Sequence, residues 1–564
     1  MTKLSRQDLL LAKGIDKPVA SNYDITKDEI FNKFSNSVIP IDIDTPISSI
    51  APHTGSFGKV EAKHLLSRTL YGFSKATWDA NSIKTVTQAV DDLLNVNTSV
   101  AAKPKDYQPA SLTYGQEWDN LTYDPTKNGV YRNSLKWWLT GNIVNHDNTI
   151  LEKMVMFWHN HLATEVVAVG RPRAAYDYFK LLRDNALGNF KTLIEKITVN
   201  PAMLRYLNGI YNTKFAPDEN YARELMELFT LGKDPASQYT EDDVKAAARV
   251  LTGWKLNADW RGSNFNSNAH DVTDKTFSSF FGGTTITGKT GAAGSGETQE
   301  LINMIFTKSD VIARYMVREF YKYFVYYNIT PAIETNVIIP LADDFKQNWE
   351  IKPLLKALLI SDHFYDPLNQ GCFIKTPMDV YGNLAKNLNS FHPNATTEKE
   401  YLSWQLPYFV GAQLGMEIGE PPGVAGWPAF YQTPKFHEIW INSDTYPKRV
   451  QYCVYLAFQG WPVKDEKILF DTIAFADSYG ADAADPNKLI DHTCEFMLGL
   501  DISKASKDKI KAGSLTNGLA DSVWTTEWND HKANPADTAK KNAILLRLFA
   551  MFKFIFELPE FQLH

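Results

Sequence analysis

Apolar residues recur every three to four positions along most of this chain, and strand-like alternation is scarce. The period predicts a helix starting near Gly58 and carrying His64, Leu65, Leu66 and Arg68. It predicts strongly apolar helical structure from Asn133 to Leu162, through KWWL and ILEKMVMFW. Further helices are expected near 174–198, 218–231, 241–254, 298–328, 337–348, 351–361, 376–391, 446–459, 466–476, 486–498 and 539–557. Three stretches break the pattern: a polar loop over 96–115, a Gly/Ser/Asn/Thr-rich loop from Lys255 to Glu297 with room for a small hairpin, and a Gly/Pro-rich loop over 416–445. Residues 1–59 mix polar turns with Pro-rich pieces such as IPIDIDTP and read as an extended N-terminal arm. The fold class expected is mainly α: a single large multi-helix domain over 60–564, with long irregular loops and little β structure.

Composition narrows the function classes. At 44% hydrophobic and 22% charged residues the chain is an ordinary soluble globular protein. A net charge of −7 without a basic run gives no nucleic-acid footprint. Cys372, Cys453 and Cys494 form no CxxC pair, which excludes zinc-finger and thiol-redox motifs and a disulfide framework. No apolar stretch approaches the ~20 residues of a membrane span. Near the N-terminus the longest apolar run is Leu9 to Ala12, about half of what a secretory signal needs, so a cytoplasmic location is expected. The 14 Trp, 26 Tyr and 32 Phe allow either a large packed interior or aromatic-lined grooves.

Four stretches carry candidate chemistry. In FWHNHLATE, His159 and His161 stand one residue apart. On a helix they would point about 200° apart. If the helix ends near Trp158 and the chain runs extended, both rings fall on one side and could bind one metal. The alternative is that each ring is satisfied inside an aromatic core. In DENYARELMELF, a period of about 100° per residue puts Asn220, Arg223, Glu224 and Glu227 on one helix face. That strip is either a solvated face or a source of a metal ligand, a general base and an arginine clamp. In the long loop, His270 and Asp271 with Lys275 close by form a possible third ligand group, or an Asx-type turn. GEPPGVAGWP is a rigid loop presenting Trp427, either clasped in the core or forming the aromatic wall of a binding cleft. Gly283 to Thr290 matches the phosphate-loop pattern letter for letter, but TFSSFFG before it is not a buried strand and the Gly-rich run after it would not carry a helix, so the match is accidental.

HLLSRTLYGF, EKMVMFWHNHLAT, NPAMLRYLN, ENYARELMELFTLG, DDVKAAARVLTGW, HD-x3-K and PPGVAGWP, in this order, resemble the bacterial family catalogued as "domain of unknown function 1800" over about residues 60 to 558. The resemblance implies a largely helical body. It also implies a sulfatase-like partner encoded nearby, and a periplasmic or exported location, since many relatives carry export signals. Combined with the residues above, the leading expectation is a metal-dependent enzyme, a hydrolase rather than an oxidoreductase, acting on a polymer or ester. His159, His161 and His270 would hold a divalent Zn, Fe or Cu ion. Glu224, Glu227, Arg223 and Asp271 would be catalytic, and Trp427, Asn220 and Lys275 would bind substrate. The alternative is a non-catalytic binding or assembly protein working with the sulfatase-like partner.

Overall fold

The helix expected near Gly58 runs over Lys59–Thr69, and the Gly58 N–H donates to the Glu61 carboxylate at 2.9 Å to close its first turn. Other helices begin with the same device. Thr240 and Asp243 cap Glu241–Val250 reciprocally, and Thr376 and Asp379 do so for Pro377–Asn387. In the computed structural model the described residues are 49–99, 102–233, 235–388 and 390–564. Most of the arm expected over 1–59 therefore lies outside them. Residues 49–53 pair with the 360–363 segment, the His53 N–H donating to Ile360 O at 2.7 Å and the Asp362 N–H to Ala51 O at 2.9 Å.

The fold is mainly α. Among the described residues, the strands form three small antiparallel hairpins: β1 (Trp254–Leu256) with β2 (Ser263–Phe265), β3 (Lys275–Thr276) with β4 (Thr285–Ile286), and β5 (Trp461–Val463) with β6 (Glu466–Ile468). The first two structure the long loop. The third replaces part of the helix expected over 466–476, whose helical part is only Thr472–Asp477. The reason is local: Lys464, at φ +57°, turns the chain back on itself immediately before β6. A helix over Thr397–Gln413 escaped the period because it carries Pro407 and a scattered apolar pattern. It packs closely on Asn128–Val144, where the Thr140 hydroxyl donates to Trp404 O at 2.8 Å and Gly141 lies directly against the Trp404 ring.

At the centre stands the helix Leu151–His161, in which every residue but Asn160 is buried. A helix apolar on all sides belongs in a core. The Trp158 indole is fully buried and donates to Ala186 O at 3.0 Å, and Phe157 stacks on Phe320 at 4.4 Å. Its two charged residues are both paired, Glu152 with Arg183 and Lys153 with Asp379. The residues Ser48–His564 form one compact unit around it.

Candidate functional site

The central helix does not stop at Trp158. The Leu162 N–H donates to Trp158 O at 2.8 Å and closes a last turn that contains both histidines. The extended stretch that would aim both rings at one ion is therefore absent, because nothing in the local sequence breaks the helix before Leu162. The imidazoles point to different sides. His159 lies between Tyr178, Phe179 and Trp427. Since the Tyr178 hydroxyl donates to Leu162 O, His159 Nδ1, 3.2 Å away, is the donor to that hydroxyl. Its Nε2 has no hydrogen-bond partner among the described residues. Burial pushes His159 down to about 3, so the ring is neutral. His161 faces the other way and donates from Nε2 to Phe229 O at 3.2 Å. Burial lowers its pKa, and Glu319 works in the opposite direction. Among the described residues, no group of three or more His, Cys, Asp or Glu side chains could hold a metal ion.

The polar strip is also divided. Asn220–Glu224 is α-helical, but Leu225–Thr230 is a π-turn, with the Leu231 N–H donating to Met226 O at 2.8 Å. The wider turn ends the 100° rotation for Glu227, while Asn220, Arg223 and Glu224 lie in the α-helical part before it. Arg223 turns outward to Glu241, at 2.8 and 2.7 Å, and to Glu219 at 3.1 Å. Glu227 pairs with Lys233. Asn220 is half-buried and its N–H donates to Asp218 at 2.9 Å. Glu224 goes inward: it is 8% exposed, and its Oε2 has no hydrogen-bond partner among the described residues. Burial first, and Glu227 second, raise its pKa.

The HD-x3-K residues form a closed lock. Lys275 and Glu297 are fully buried and 2.5 Å apart, and Lys275 also donates to Asp271 O. His270 donates from Nδ1 to Thr252 O at 2.9 Å. Its Nε2 lies 3.0 Å from Glu297 Oε1, off the hydrogen-bond direction. The Asp271 carboxylate accepts from Arg249 at 2.8 Å and from the Thr273 N–H at 2.8 Å. Burial alone would raise Asp271, but these bonds outweigh it and hold it at about 2. Glu297 also accepts from the Lys289 N–H at 2.6 Å, and the Lys289 ammonium pairs with Glu300. The lysine of the phosphate-loop look-alike is thus occupied, and a 3₁₀ turn over Gly291–Gly296 follows it in place of an α-helix.

Residues that the sequence reading passed over do converge. Tyr206 donates to Glu165 at 2.9 Å, and Lys136 pairs with Glu420 at 2.7 Å. Burial and the bond to Glu165 raise the Tyr206 phenol well above its usual range, with the fields of Glu165, Glu420 and Glu224 adding to them. Glu420 accepts from the Val167 N–H at 3.1 Å and Gly419 O from the Val166 N–H at 2.9 Å, so the Pro/Gly-rich loop is pinned to the short helix Val166–Val169 that follows the central helix. The Trp427 N–H donates to Asn160 Oδ1 at 2.9 Å, and its ring is 1% exposed. The ring therefore packs in the core and is no wall of an open cleft. Beside this clasp lies a pocket of about 110 Å³ lined by Asn160, His161, Tyr315, Glu319, Lys322 and Tyr431. Lys322 and Glu319 are paired there at 2.8 Å. An imidazole, an amide and an ion pair suit one small polar group. The signal for this convergence was in the motifs: Glu165 closes FWHNHLATE, Tyr206 lies in NPAMLRYLN and Glu420 opens EPPGVAGWP.

No helix among the described residues is long and apolar enough to cross a membrane. No curated protein and no solved structure matches the chain. The family described as "Protein of unknown function (DUF1800)" matches residues 64–563, and the chain belongs to that family.

Proposed function

We propose that the protein is a binding and assembly protein, with its contact site at the clasp between the central helix and the Pro/Gly-rich loop. One observation carries this reading: the residues expected to build a single catalytic pocket occupy separate neighbourhoods, and most are bonded within them. His159 is enclosed by aromatic rings, His161 bonds a carbonyl, and His270, Asp271 and Lys275 lock a loop. Buried polar groups satisfied in this way specify a rigid scaffold. The partner implied by the family resemblance is a sulfatase-like protein, and an exported location would suit such a pair. Co-expression of the full chain with the sulfatase-like protein encoded nearby tests this. The expected result is a complex of fixed stoichiometry and a metal content near zero after incubation with Zn, Fe or Cu. One equivalent of metal that disappears on His161→Ala, in a folded variant, would overturn it.

A metal-dependent hydrolase is the second reading, and Glu224 favours it. A buried carboxylate with an unpartnered oxygen and a raised pKa suits a ligand or a proton donor. Ester cleavage by the metal-incubated protein, lost in Glu224→Gln, would support it.

A further inference from the structure

Away from the clasp, a cavity of about 550 Å³ opens between the helix Lys59–Thr69, the segment 370–375 and the segment 491–501. This lies within the roughly 300–1,000 Å³ of small-molecule sites. Its apolar walls include Phe496, Met497 and Leu500, and Lys375 and His564 reach it from the interior. Behind that end several buried basic side chains crowd one buried acidic side chain. Arg68, Lys375 and Arg449 all feel one carboxylate, Asp379. Asp379 is fully buried and already bound by Lys153 and Thr376. Arg68 is 2% exposed and its Nε and Nη1 have no hydrogen-bond partner among the described residues. Among the described residues the Lys375 ammonium donates to a carbonyl, Phe561 O, at 2.7 Å and lies over the Phe561 ring at 4.7 Å. Buried cations without counter-charge are costly, and buried N–H groups without acceptors are rare.

We propose that this cavity binds a small organic anion, a carboxylate or phosphate on an apolar body, with its charge against Lys375 and its body along Phe496, Met497 and Leu500. Such an anion places a negative charge beside Lys375, which lines the cavity. The exposed rim carboxylates Asp491, Glu495 and Asp501 oppose it weakly, because Lys507 pairs with Asp491 and Asp501, at 3.3 and 3.0 Å, Lys59 pairs with Glu495 at 3.8 Å, and solvent screens them. Lys375 faces Asp379 and Cys453, which raise its pKa, and Lys63 and Arg449, which lower it. Burial dominates and pushes it down to about 7. An anion beside it would draw a proton onto Lys375 near neutral pH.

Calorimetry of the full chain with octanoate, octyl phosphate, octylammonium and octanol tests the proposal. One of the two anions should bind at one site per chain at least tenfold more tightly than octanol or octylammonium, and the tighter one identifies the head group. The binding heat should change with the ionisation enthalpy of the buffer as Lys375 takes up a proton. Lys375→Met should weaken binding at least tenfold. Leu500→Trp, at a mouth position that is 43% exposed, should block entry without touching the buried charges. The proposal is overturned if neither anion binds, if octanol binds equally well, or if the folded variants keep the parent affinity.

Discussion

Lys275 and Glu297 form an ion pair 2.5 Å long with neither side chain reaching solvent. The pair ties β3 to the start of the helix Glu297–Phe306 and so closes the long loop on itself. Removing one partner leaves the other charge buried and alone. Lys275→Ala and Glu297→Ala should each cost about 3–5 kcal/mol. The double variant should cost less than the sum of the two, and urea unfolding of all four proteins measures the coupling. Additive losses would mean that the two groups act independently.

Three buried histidines predict acid lability. Burial pushes His146, His159 and His437 down to about 3 each, against about 6.5 in the unfolded chain. A histidine held neutral contributes stability that is complete above about pH 6.5 and is lost as pH falls toward about 3. At pH 5 each therefore removes about 2 kcal/mol, and together they approach a typical domain stability of about 5–15 kcal/mol. Far-ultraviolet circular dichroism should show cooperative unfolding beginning below about pH 6, and His159→Gln should move the midpoint to lower pH. Retention of the native signal at pH 3 would contradict this.

Gly426 holds the Pro/Gly-rich loop at φ +80° against Asn160, and a Cβ there would stand 2.5 Å from the Asn160 carbonyl oxygen. Gly426→Ala combines a left-handed backbone with a clash and should cost more than about 3 kcal/mol. At Gly423, in the same loop, a Cβ meets nothing within 4 Å, and Gly423→Ala should stay within about 1 kcal/mol. Thermal melts of the two variants compare a close approach with mere loop rigidity.

Glu224 is a liability for the folded state. Its raised pKa means that its contribution is full below the unfolded carboxylate range and is lost as pH rises through the folded value. Glu224→Gln should therefore stabilise the protein near neutral pH by about 1 kcal/mol, with the advantage fading at pH 4. Melting curves at both pH values check the sign. A stabilised variant with impaired binding or activity would mark Glu224 as retained for function.

Helix positions were legible because they depend on neighbours in sequence, as the Gly58, Thr240 and Thr376 caps illustrate. The candidate site was legible only as parts. That His159 and His161 face apart depends on one extra helical turn with no breaker to announce or forbid it. The π-turn at Leu225–Thr230 shifted Glu227 relative to Arg223 and Glu224, and no residue type marks such a turn. Glu165 meets Tyr206 and Glu420 meets Val167 across 41 and 253 residues, and periodicity carries no information about which distant side chains meet. The closed lock at Lys275 depends in the same way on Glu297, 22 residues downstream.

The partners of the central helix arrive late during synthesis. Lys153 waits 226 residues for Asp379, and Asn160 waits 267 for Trp427. At about 5–20 residues per second, a ribosome releases this oily segment some ten to fifty seconds before its cover exists. Over that interval it is a target for chaperones, and premature termination anywhere before the second half of the chain should yield sticky, insoluble fragments in place of a smaller working protein.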